Sequence, residues 1–381
     1  MAGTEFADRL DRARQALAGA GWAGLVVPPG ADLRYLTGYA ARALERLTCL
    51  VLPSGGSPTL IVPRLERPAA ERSPAAEAGI RIVDWPDGTS PYPLVADALE
   101  PGALAPGALA PGAIGAGVGV GAQLWASHLL ALQAALPAAS WQPAGPVLGP
   151  LRARKTPAEV EALAEAGAAI DAVHQRMGRW LRPGRTEAEV GADIAAAIRE
   201  TGHATVDFVI VAAGPHAASP HHDTSDRPIG AGEPVVVDIG GTMPSGYCSD
   251  CTRTYVAGGA PPADFVGYYA VLQEAQRAAV AAVAPGVSAE SVDGAARTPI
   301  AGAGYGPAFL HRTGHGIGLE THEDPYIVDG NTEPLAEGMA FSVEPGIYLA
   351  GRHGARIEDI VVCTADGVRR LNTTPTDLVQ L

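Results

Sequence analysis

The sequence predicts an α+β protein of two domains, and three observations lead to that fold class. The chain has 381 residues, more than one hydrophobic core usually serves. A stretch rich in proline and glycine at 143–155 marks a domain boundary. The second part of the chain repeats a short series of helix and strand patterns. We therefore expect a smaller α/β domain over residues 1–150 and a larger domain over residues 151–381.

Residues 1–150 carry the patterns of one α/β unit. An amphipathic helix is expected at about residues 5–20, followed by apolar runs typical of buried strands at 24–28, 47–53 and 58–63. The tract at 101–122 contains a five-residue repeat, which is too short for a solenoid. We expect this tract to form an irregular connection ahead of another strand and helix.

Two helix starts are clearly marked in the second domain. Thr156 is placed to cap a helix whose first residue is Pro157, and Glu159 completes a capping box. Thr186 and Glu189 repeat this arrangement after a Pro-Gly turn. Both helices are therefore predicted from local sequence alone.

Three segments of the second domain recur in the same order further along the chain. PGRTEAEV at 183–190 resembles PGVSAESV at 285–292, VVVDIG at 235–240 resembles FSVEPG at 341–346, and SDCTRTYV at 249–256 resembles IEDIVVCT at 357–364. The offsets of 102, 106 and 108 residues are nearly constant. Each half offers a helix and then two strands that each carry an acid. The halves are expected to pack about a pseudo-two-fold axis.

Charge and composition argue against several classes of protein. The net charge of −14 disfavours nucleic acid and anionic membranes as partners. No apolar stretch reaches membrane-spanning length, and the N-terminal residues lack the regions of a secretory signal. The four cysteines are few and fit reduced thiols, so a cytoplasmic location is expected. We interpret the C-x-x-C of Cys248 and Cys251 as ordinary strand cysteines, rather than as a redox pair or half a zinc site.

Four acids lie in or beside the apolar runs of the repeated strands, namely Asp238, Asp250, Glu344 and Glu358. An unpaired buried carboxylate is costly, and Arg253 and Arg356 could neutralise only one or two of them. A divalent cation removes the remaining charge deficit. Such an oxygen-rich site suits Mn²⁺, Co²⁺ or Fe²⁺ better than a structural zinc ion. Four carboxylates also suffice for two ions about 3.5–4 Å apart.

The segment HRTGHGIGLETHE at 311–323 contains three histidines: His311, His315 and His322. Its glycines argue against a helix, so it is not the helical His-Glu-x-x-His pattern of zinc peptidases. By itself the segment is compatible with a metal site, with a catalytic base and its helpers, or with a surface loop.

Together these motifs resemble the pita-bread-fold metallopeptidases. The matching residues are DIG at Asp238, SDCTRT around Asp250, GHGIGLETHE around His315, VEPG at Glu344 and RIED around Glu358. Within that family the chain is similar to the proline-specific branch, the Xaa-Pro dipeptidases (prolidases) and Xaa-Pro aminopeptidases. The resemblance covers essentially the whole chain. It implies a pita-bread catalytic domain at 151–381 and a creatinase-N-like domain, serving substrate access or dimerisation, at 1–150.

The resemblance implies a set of five metal ligands. Asp238 would hold one ion, His315 and Glu344 would hold the other, and Asp250 and Glu358 would bridge both. A hydroxide between the two ions would attack the scissile carbonyl. Mn²⁺ is the favoured metal, with Co²⁺, Fe²⁺ and Zn²⁺ as alternatives.

Four further residues receive roles from the same resemblance. His221 and His322 would be catalytic residues that contact the substrate and help stabilise the tetrahedral intermediate. His311 would bind substrate by lining the proline side. Arg356 would orient Glu358 from behind the ligands.

Two details depart from the family pattern or leave a choice. The interval between Asp238 and Asp250 is one residue longer than the usual spacing, and we expect the hairpin turn in GTMPSG to absorb the extra residue. His222 adjoins His221 and is expected to be a solvent-exposed neighbour.

The expected function is hydrolysis of the Xaa-Pro bond at the N-terminus of a dipeptide or short peptide with proline in second position. The alternatives are a non-catalytic peptide- or protein-binding module and a creatinase-like hydrolase, both disfavoured by the complete ligand set. Methionine aminopeptidases are also disfavoured, because they lack a large N-terminal domain, whereas residues 1–150 precede the expected catalytic domain here. The sequence does not distinguish a dipeptidase from an aminopeptidase. Arg42, Arg46 and Arg312 are candidates for the group that would recognise the proline carboxylate in a dipeptidase. The resemblance also implies a homodimer.

Overall fold

The computed structural model describes residues 2–99 and 117–381. Most of the predicted irregular tract at 101–122 lies outside the described residues. The chain divides into two compact units, Met1–Arg152 and Ala153–Leu381, each with its own hydrophobic core. Within the described ranges, no helix combines the length and the apolar character needed to cross a bilayer.

The N-terminal unit contains a six-stranded mixed sheet with helices packed against it. In chain order its elements are α1 (Ala2–Ala20), β1 (Trp22–Val27), α2 (Ala31–Thr37), β2 (Cys49–Pro53), β3 (Thr59–Pro63), α3 (Arg67–Glu71), α4 (Pro74–Glu77), β4 (Arg81–Trp85), α5 (Tyr92–Leu99), β5 (Gly117–Val120), α6 (Ala126–Ala135), β6 (Ser140–Pro143) and α7 (Gly145–Ala153). The strand order is β4-β3-β2-β1-β5-β6. The helix and three strands expected before residue 64 are confirmed, because their ends shift by no more than three residues.

The C-terminal unit is described over its full range, 153–381, and contains four α-helices and eleven strands. They are α8 (Pro157–His174), α9 (Glu187–Glu200), β7 (Thr205–Ala213), β8 (Glu233–Thr242), β9 (Cys248–Ala257), α10 (Phe265–Ala281), α11 (Ala289–Gly302), β10 (Gly314–Gly316), β11 (Glu323–Ile327), β12 (Ala340–Val343), β13 (Gly346–Leu349), β14 (His353–Arg356), β15 (Asp359–Thr364), β16 (Gly367–Arg370) and β17 (Val379–Gln380).

The two halves of this unit use matching elements, as the internal repeat predicted. In the first half, α8 and α9 accompany the hairpin β8–β9 in a sheet of order β17-β9-β8-β7. In the second half, α10 and α11 accompany the antiparallel pair β12–β15 in a sheet of order β11-β10-β12-β15-β16. The predicted fold class is confirmed: an α+β pita-bread domain with a pseudo-two-fold repeat follows a smaller α/β domain.

The predicted helix caps are present in the first half. Thr156 and Thr186 each accept a hydrogen bond from the backbone N–H three residues later, and Glu159 and Glu189 close the two capping boxes. In the second half, Ser288 occupies the equivalent cap position but forms no capping hydrogen bond. A good local signal therefore specified the starts of α8 and α9.

The hairpin between β8 and β9 absorbs the longer interval between the two aspartates. The strands pair without a break from Glu233 opposite Ala257 to Thr242 opposite Cys248. The extra residue therefore lies in the turn at 243–247 and leaves the register of Asp238 and Asp250 intact.

The cysteines of the C-x-x-C pair lie in β9, as expected of strand residues. Cys248 and Cys251 are buried and free of disulfide bonds. Burial raises the pKa of Cys248 to about 11, which argues against a reactive thiol.

Candidate metal centre

A cavity of about 750 Å³ opens in the C-terminal unit. Its wall contains all nine residues that were assigned a site role from sequence: His221, Asp238, Asp250, His311, His315, His322, Glu344, Arg356 and Glu358. These residues come from both halves of the unit, so the packing of the two halves creates the site.

The four acids are positioned by the register of two antiparallel strand pairs. In the first half, Asp238 lies opposite Thr252, so Asp250 is its diagonal neighbour on the same face of the hairpin. In the second half, Val343 of β12 pairs with Asp359 of β15. Glu344 follows the last residue of β12 and Glu358 precedes the first residue of β15, so both lie at the same end of the strand pair.

The strand that carries His315 packs closer to its neighbours than a side chain would allow. A Cβ atom on Gly314 would lie 1.8 Å from the carbonyl oxygen of Ser342, and one on Gly316 would lie 2.2 Å from that of Asp324. Glycine is therefore required on either side of the histidine, because backbone occupies the space of a side chain.

The ring of His315 is oriented by the protein. Its Nδ1 lies 3.1 Å from the carbonyl oxygen of Gly316 and donates its proton there. In the neutral ring the lone pair therefore resides on Nε2, which lies 3.2 Å from Oε1 of Glu344 and 3.7 Å from Oδ2 of Asp250. This tautomer presents a ligand nitrogen to two carboxylates.

The ligand atoms form three overlapping groups. Within each group, atoms of three residues lie within 4.8 Å of one another: Asp238, Asp250 and Glu358; His315, Glu344 and Glu358; and Asp250, His315 and His322. Asp250 and Glu358 each belong to two groups. The arrangement thus has two centres that share carboxylates.

The donor set of this cluster fits divalent cations. Burial, reinforced by the negative charges of neighbouring acids, raises the pKa of Asp250 and Glu358 well above the ordinary values. Oδ1 of Asp238 is buried and has no hydrogen-bond donor in the described part of the chain. The clustered acids therefore keep their protons unless another positive charge replaces them, and both they and the unpartnered oxygen of Asp238 suit a hard divalent cation.

Arg356 makes different contacts from those expected. Its Nη2 forms an ion pair of 2.5 Å with Oδ2 of Asp238, and it reaches Glu358 only through the hydroxyl of Thr252. The reason is geometric, since β14 packs beside β8 and directs the guanidinium at the hairpin. Arg356 therefore orients Asp238 directly and Glu358 indirectly.

His311 has both ring nitrogens occupied within the protein. Nδ1 donates to the carbonyl oxygen of Arg312 at 2.7 Å, and Nε2 accepts from the hydroxyl of Tyr348 at 2.8 Å. That hydroxyl in turn accepts from Arg356 at 2.8 Å. His311 consequently offers the cavity its carbon edge, and burial lowers its pKa.

His221 and His322 line the cavity without hydrogen bonds to other described residues. Burial, followed by the charges of His315 and Arg312, lowers the pKa of His322 to about 4, so its ring is neutral at neutral pH. The rings of His322 and His315 lie 4.0 Å apart, centre to centre. Both cavity histidines keep nitrogens available for a ligand.

Two contacts around the cavity were not anticipated. Tyr348 joins Arg356 to His311, and nothing in its strand motif signals that role. His222 was expected to be solvent-exposed, and this expectation is wrong: its side chain is 14% exposed and its Nε2 donates to buried Glu187 at 2.9 Å. The distant Glu187 carboxylate provides the interior partner that the local sequence could not reveal.

Comparisons with known proteins agree with this geometry. Residues 161–365 match the metallopeptidase family M24, and residues 9–154 match the creatinase/prolidase N-terminal domain. The probable dipeptidase PepE of Mycobacterium tuberculosis is 52% identical over 376 residues, which are 98% of this chain and 96% of that protein. The Xaa-Pro dipeptidase of Lactobacillus helveticus is 36% identical over 349 residues, 91% of each chain.

A solved structure gives the same result in three dimensions. The crystal structure of dipeptidase PepE from Mycobacterium ulcerans matches with a TM-score of 0.92 and 53% identity, covering 99% of this chain and 98% of that one. Sequence, fold and the buried carboxylate cluster thus agree over nearly the full length. The chain belongs to the metallopeptidase family M24.

Proposed function

We propose that this chain is a metal-dependent Xaa-Pro dipeptidase. One observation carries the proposal: a single cavity joins a complete set of carboxylate and imidazole donors to an arginine that has no acidic partner among the described residues. Relatives named dipeptidase and Xaa-Pro dipeptidase, aligned over most of both chains, support the same activity.

Two divalent ions, with Mn²⁺ favoured, are part of the proposal. Asp238 would hold one ion, His315 and Glu344 the other, and Asp250 and Glu358 both. When bound, the ions would supply a nucleophile from water at neutral pH and polarise the scissile carbonyl. The overlapping ligand groups and the raised pKa values of the shared acids support two ions rather than one.

The chain's own side chains would orient the substrate and stabilise developing charge. Neutral His322 can donate an N–H to the oxygen of the scissile carbonyl as negative charge grows there. His221 would contact the substrate from the loop at 219–227. His311 would pack its carbon edge against the proline ring, since both of its nitrogens are engaged elsewhere. Water exclusion by these rings would strengthen each polar contact.

Arg312 is our candidate for the group that binds the free carboxylate of proline. It lines the cavity, and its guanidinium lies 4.4 Å above the ring of Tyr326. Within the described residues it forms no ion pair, whereas Arg356, the other cavity arginine, is committed to Asp238. A guanidinium held on an aromatic face and free of acids suits bidentate carboxylate binding. Arg46 is paired with Asp87 and Glu45.

The first experiment tests the reaction and its metal dependence. Purified protein loaded with Mn²⁺ is assayed on a Xaa-Pro dipeptide, a Xaa-Pro-Xaa tripeptide and a dipeptide without proline, each with and without chelator. We expect cleavage of the first substrate alone, lost on chelation. Cleavage of the tripeptide would instead support an aminopeptidase. Turnover that resists chelation would refute the metal mechanism, and no turnover with metals bound would favour a binding module.

The second experiment tests the carboxylate site. Wild type and Arg312→Met are compared on Xaa-Pro and on the matching Xaa-Pro amide, which lacks the negative charge. We expect wild type to prefer the free acid and the variant to treat both alike, with a loss of roughly 10–100-fold on the acid alone. An equal loss on both substrates would reject carboxylate recognition by Arg312.

The cytoplasmic location and the homodimer stay predictions. Size-exclusion chromatography with light scattering of the purified protein decides the oligomeric state. Fractionation of cells that make the protein decides the location.

A further inference from the structure

Glu187 is a buried acid outside the metal centre, and its carboxylate is saturated with donors. Its side chain is 0% exposed at the first turn of α9. Oε1 accepts from the backbone N–H of Ala213 at 2.8 Å and from Nδ1 of His216 at 3.0 Å. Oε2 accepts from Nε2 of His222 at 2.9 Å and from the hydroxyl of Ser225 at 2.6 Å. Every donor comes from outside the helix.

These donors belong to consecutive parts of one stretch of chain. Ala213 ends β7, His216 lies in the 3₁₀ turn Gly214–Ala218, and His222 and Ser225 lie in the loop that follows. The ring centres of the two histidines lie 4.2 Å apart, and the ring planes are tilted by 33°. One side chain therefore ties the end of a strand, a turn and a loop to the start of α9.

The loop so held carries the cavity-lining residue His221. On one side, the carbonyl oxygen of Pro220 accepts a hydrogen bond of 3.3 Å from Arg356. On the other, Glu187 binds His222 directly. His221 thus stands between an anchor in the metal centre and an anchor in α9, while its own ring is left unbound for the cavity.

We propose that Glu187 is a positioning residue that holds the loop of His221 in the geometry needed to contact substrate. The expected effect on turnover rests on the proposed function, whereas the expected effect on the loop's structure does not. The carboxylate already accepts from five groups, including the N–H of Ser225 at 3.2 Å. A role as a ligand to an additional cation would require Glu187 to give up several of these hydrogen bonds, so we favour positioning.

The test compares Glu187→Gln with the control Glu189→Gln. Glu189 lies on the same helical turn, where its carboxylate caps the helix and is 58% exposed. In Glu187→Gln the side-chain NH₂ group would face the N–H and O–H donors that the carboxylate oxygen now accepts from. We expect this to loosen the cluster of hydrogen bonds and to leave the fold intact. We expect faster amide hydrogen exchange across residues 214–227 in Glu187→Gln alone. Unchanged exchange in a folded variant would overturn the proposal, whether or not any peptide is cleaved.

The kinetic arm uses a double-mutant cycle with His221→Ala on a Xaa-Pro dipeptide. A displacement of about 1 Å can cost up to roughly 100-fold, so we expect Glu187→Gln to lower kcat by about 10–100-fold in wild type. In the His221→Ala background we expect a loss below about 3-fold, because the residue being positioned is gone. An equal fold-loss of kcat in both backgrounds would overturn the proposal, because the effects of two independent substitutions multiply.

Metal content completes the test. Glu187→Gln should hold as many equivalents of Mn²⁺ or Zn²⁺ as wild type. Loss of one equivalent would overturn positioning in favour of a separate cation site at Glu187, His216 and His222. Absence of cleavage in wild type would reject the proposed function, while the exchange measurement would still decide the role of Glu187.

Discussion

Replacing Arg356 with methionine should destabilise the metal-free protein far more than the metal-loaded protein. The guanidinium is 3% exposed and donates to Asp238 at 2.5 Å, to Tyr348 at 2.8 Å and to Thr252 at 3.1 Å. Methionine fills much of the same volume without a charge or a donor. The substitution therefore isolates the electrostatic contribution of this one cation to a cluster of four acids, of which Glu344 is partly buried and the other three are buried.

The magnitude follows from what loses its partner. Without metal, Arg356→Met would leave Asp238 as a buried carboxylate without its positively charged partner. Removing one partner of such a pair costs roughly 3–5 kcal/mol. With metal bound, the ions would neutralise Asp238. The remaining loss would then be the hydrogen bonds to the two hydroxyls and to the carbonyl oxygen of Pro220, at about 1–3 kcal/mol.

The assay is urea unfolding of wild type and Arg356→Met, each with chelator and with saturating Mn²⁺. Arg352→Met serves as the control, because Arg352 is 58% exposed and pairs with Asp264 at the surface. Its free energy of unfolding should change by no more than about 0.5 kcal/mol. A loss below about 1 kcal/mol in chelated Arg356→Met, or equal losses with and without metal, would refute the reasoning.

Three further predictions concern the metal ligands and their support. Asp250→Ala should lower Xaa-Pro dipeptide turnover by more than about 100-fold and reduce bound metal, and a folded variant that retains turnover would contradict a shared ligand. The raised pKa values of Asp250 and Glu358 stabilise the fold when both acids are protonated. This stabilisation is complete below about pH 4 and is lost as pH rises through the raised values. Chelated wild type should therefore lose more stability between about pH 4.5 and 8 in urea unfolding than the Asp250→Asn, Glu358→Gln double variant, and parallel pH profiles would count against it. Gly316→Ala should weaken metal affinity in a calorimetric titration, because its Cβ would lie 2.2 Å from the carbonyl oxygen of Asp324, and an unchanged affinity would disprove the packing argument.

Much of the fold could be predicted because its signals are local. The caps at Thr156 and Thr186 involve residues three apart, and apolar runs identify strands without knowledge of their partners. The internal repeat added long-range information, since two copies of one pattern imply two halves of one architecture. The convergence of acids from both halves on one cavity follows from that symmetry.

The contacts of individual side chains were harder to predict. Arg356 lies two residues before Glu358, so sequence proximity favoured that partner, yet strand packing directs the guanidinium to Asp238. His222 resembled a surface residue because its acceptor, Glu187, lies 35 residues away. Such pairings depend on register and side-chain direction, which local patterns do not encode.

The sequence by itself determined the fold class, the helix starts and the four acids of the repeated strands, because periodicity, capping and repeated motifs are properties of neighbouring residues. The histidines were assigned through the resemblance to a known family. Only the tertiary structure decided which nitrogen of His315 faces the carboxylates, which acid Arg356 neutralises and what holds the loop of His221. Each of these depends on distances between atoms that are far apart in the chain, and the packing of the two halves sets those distances.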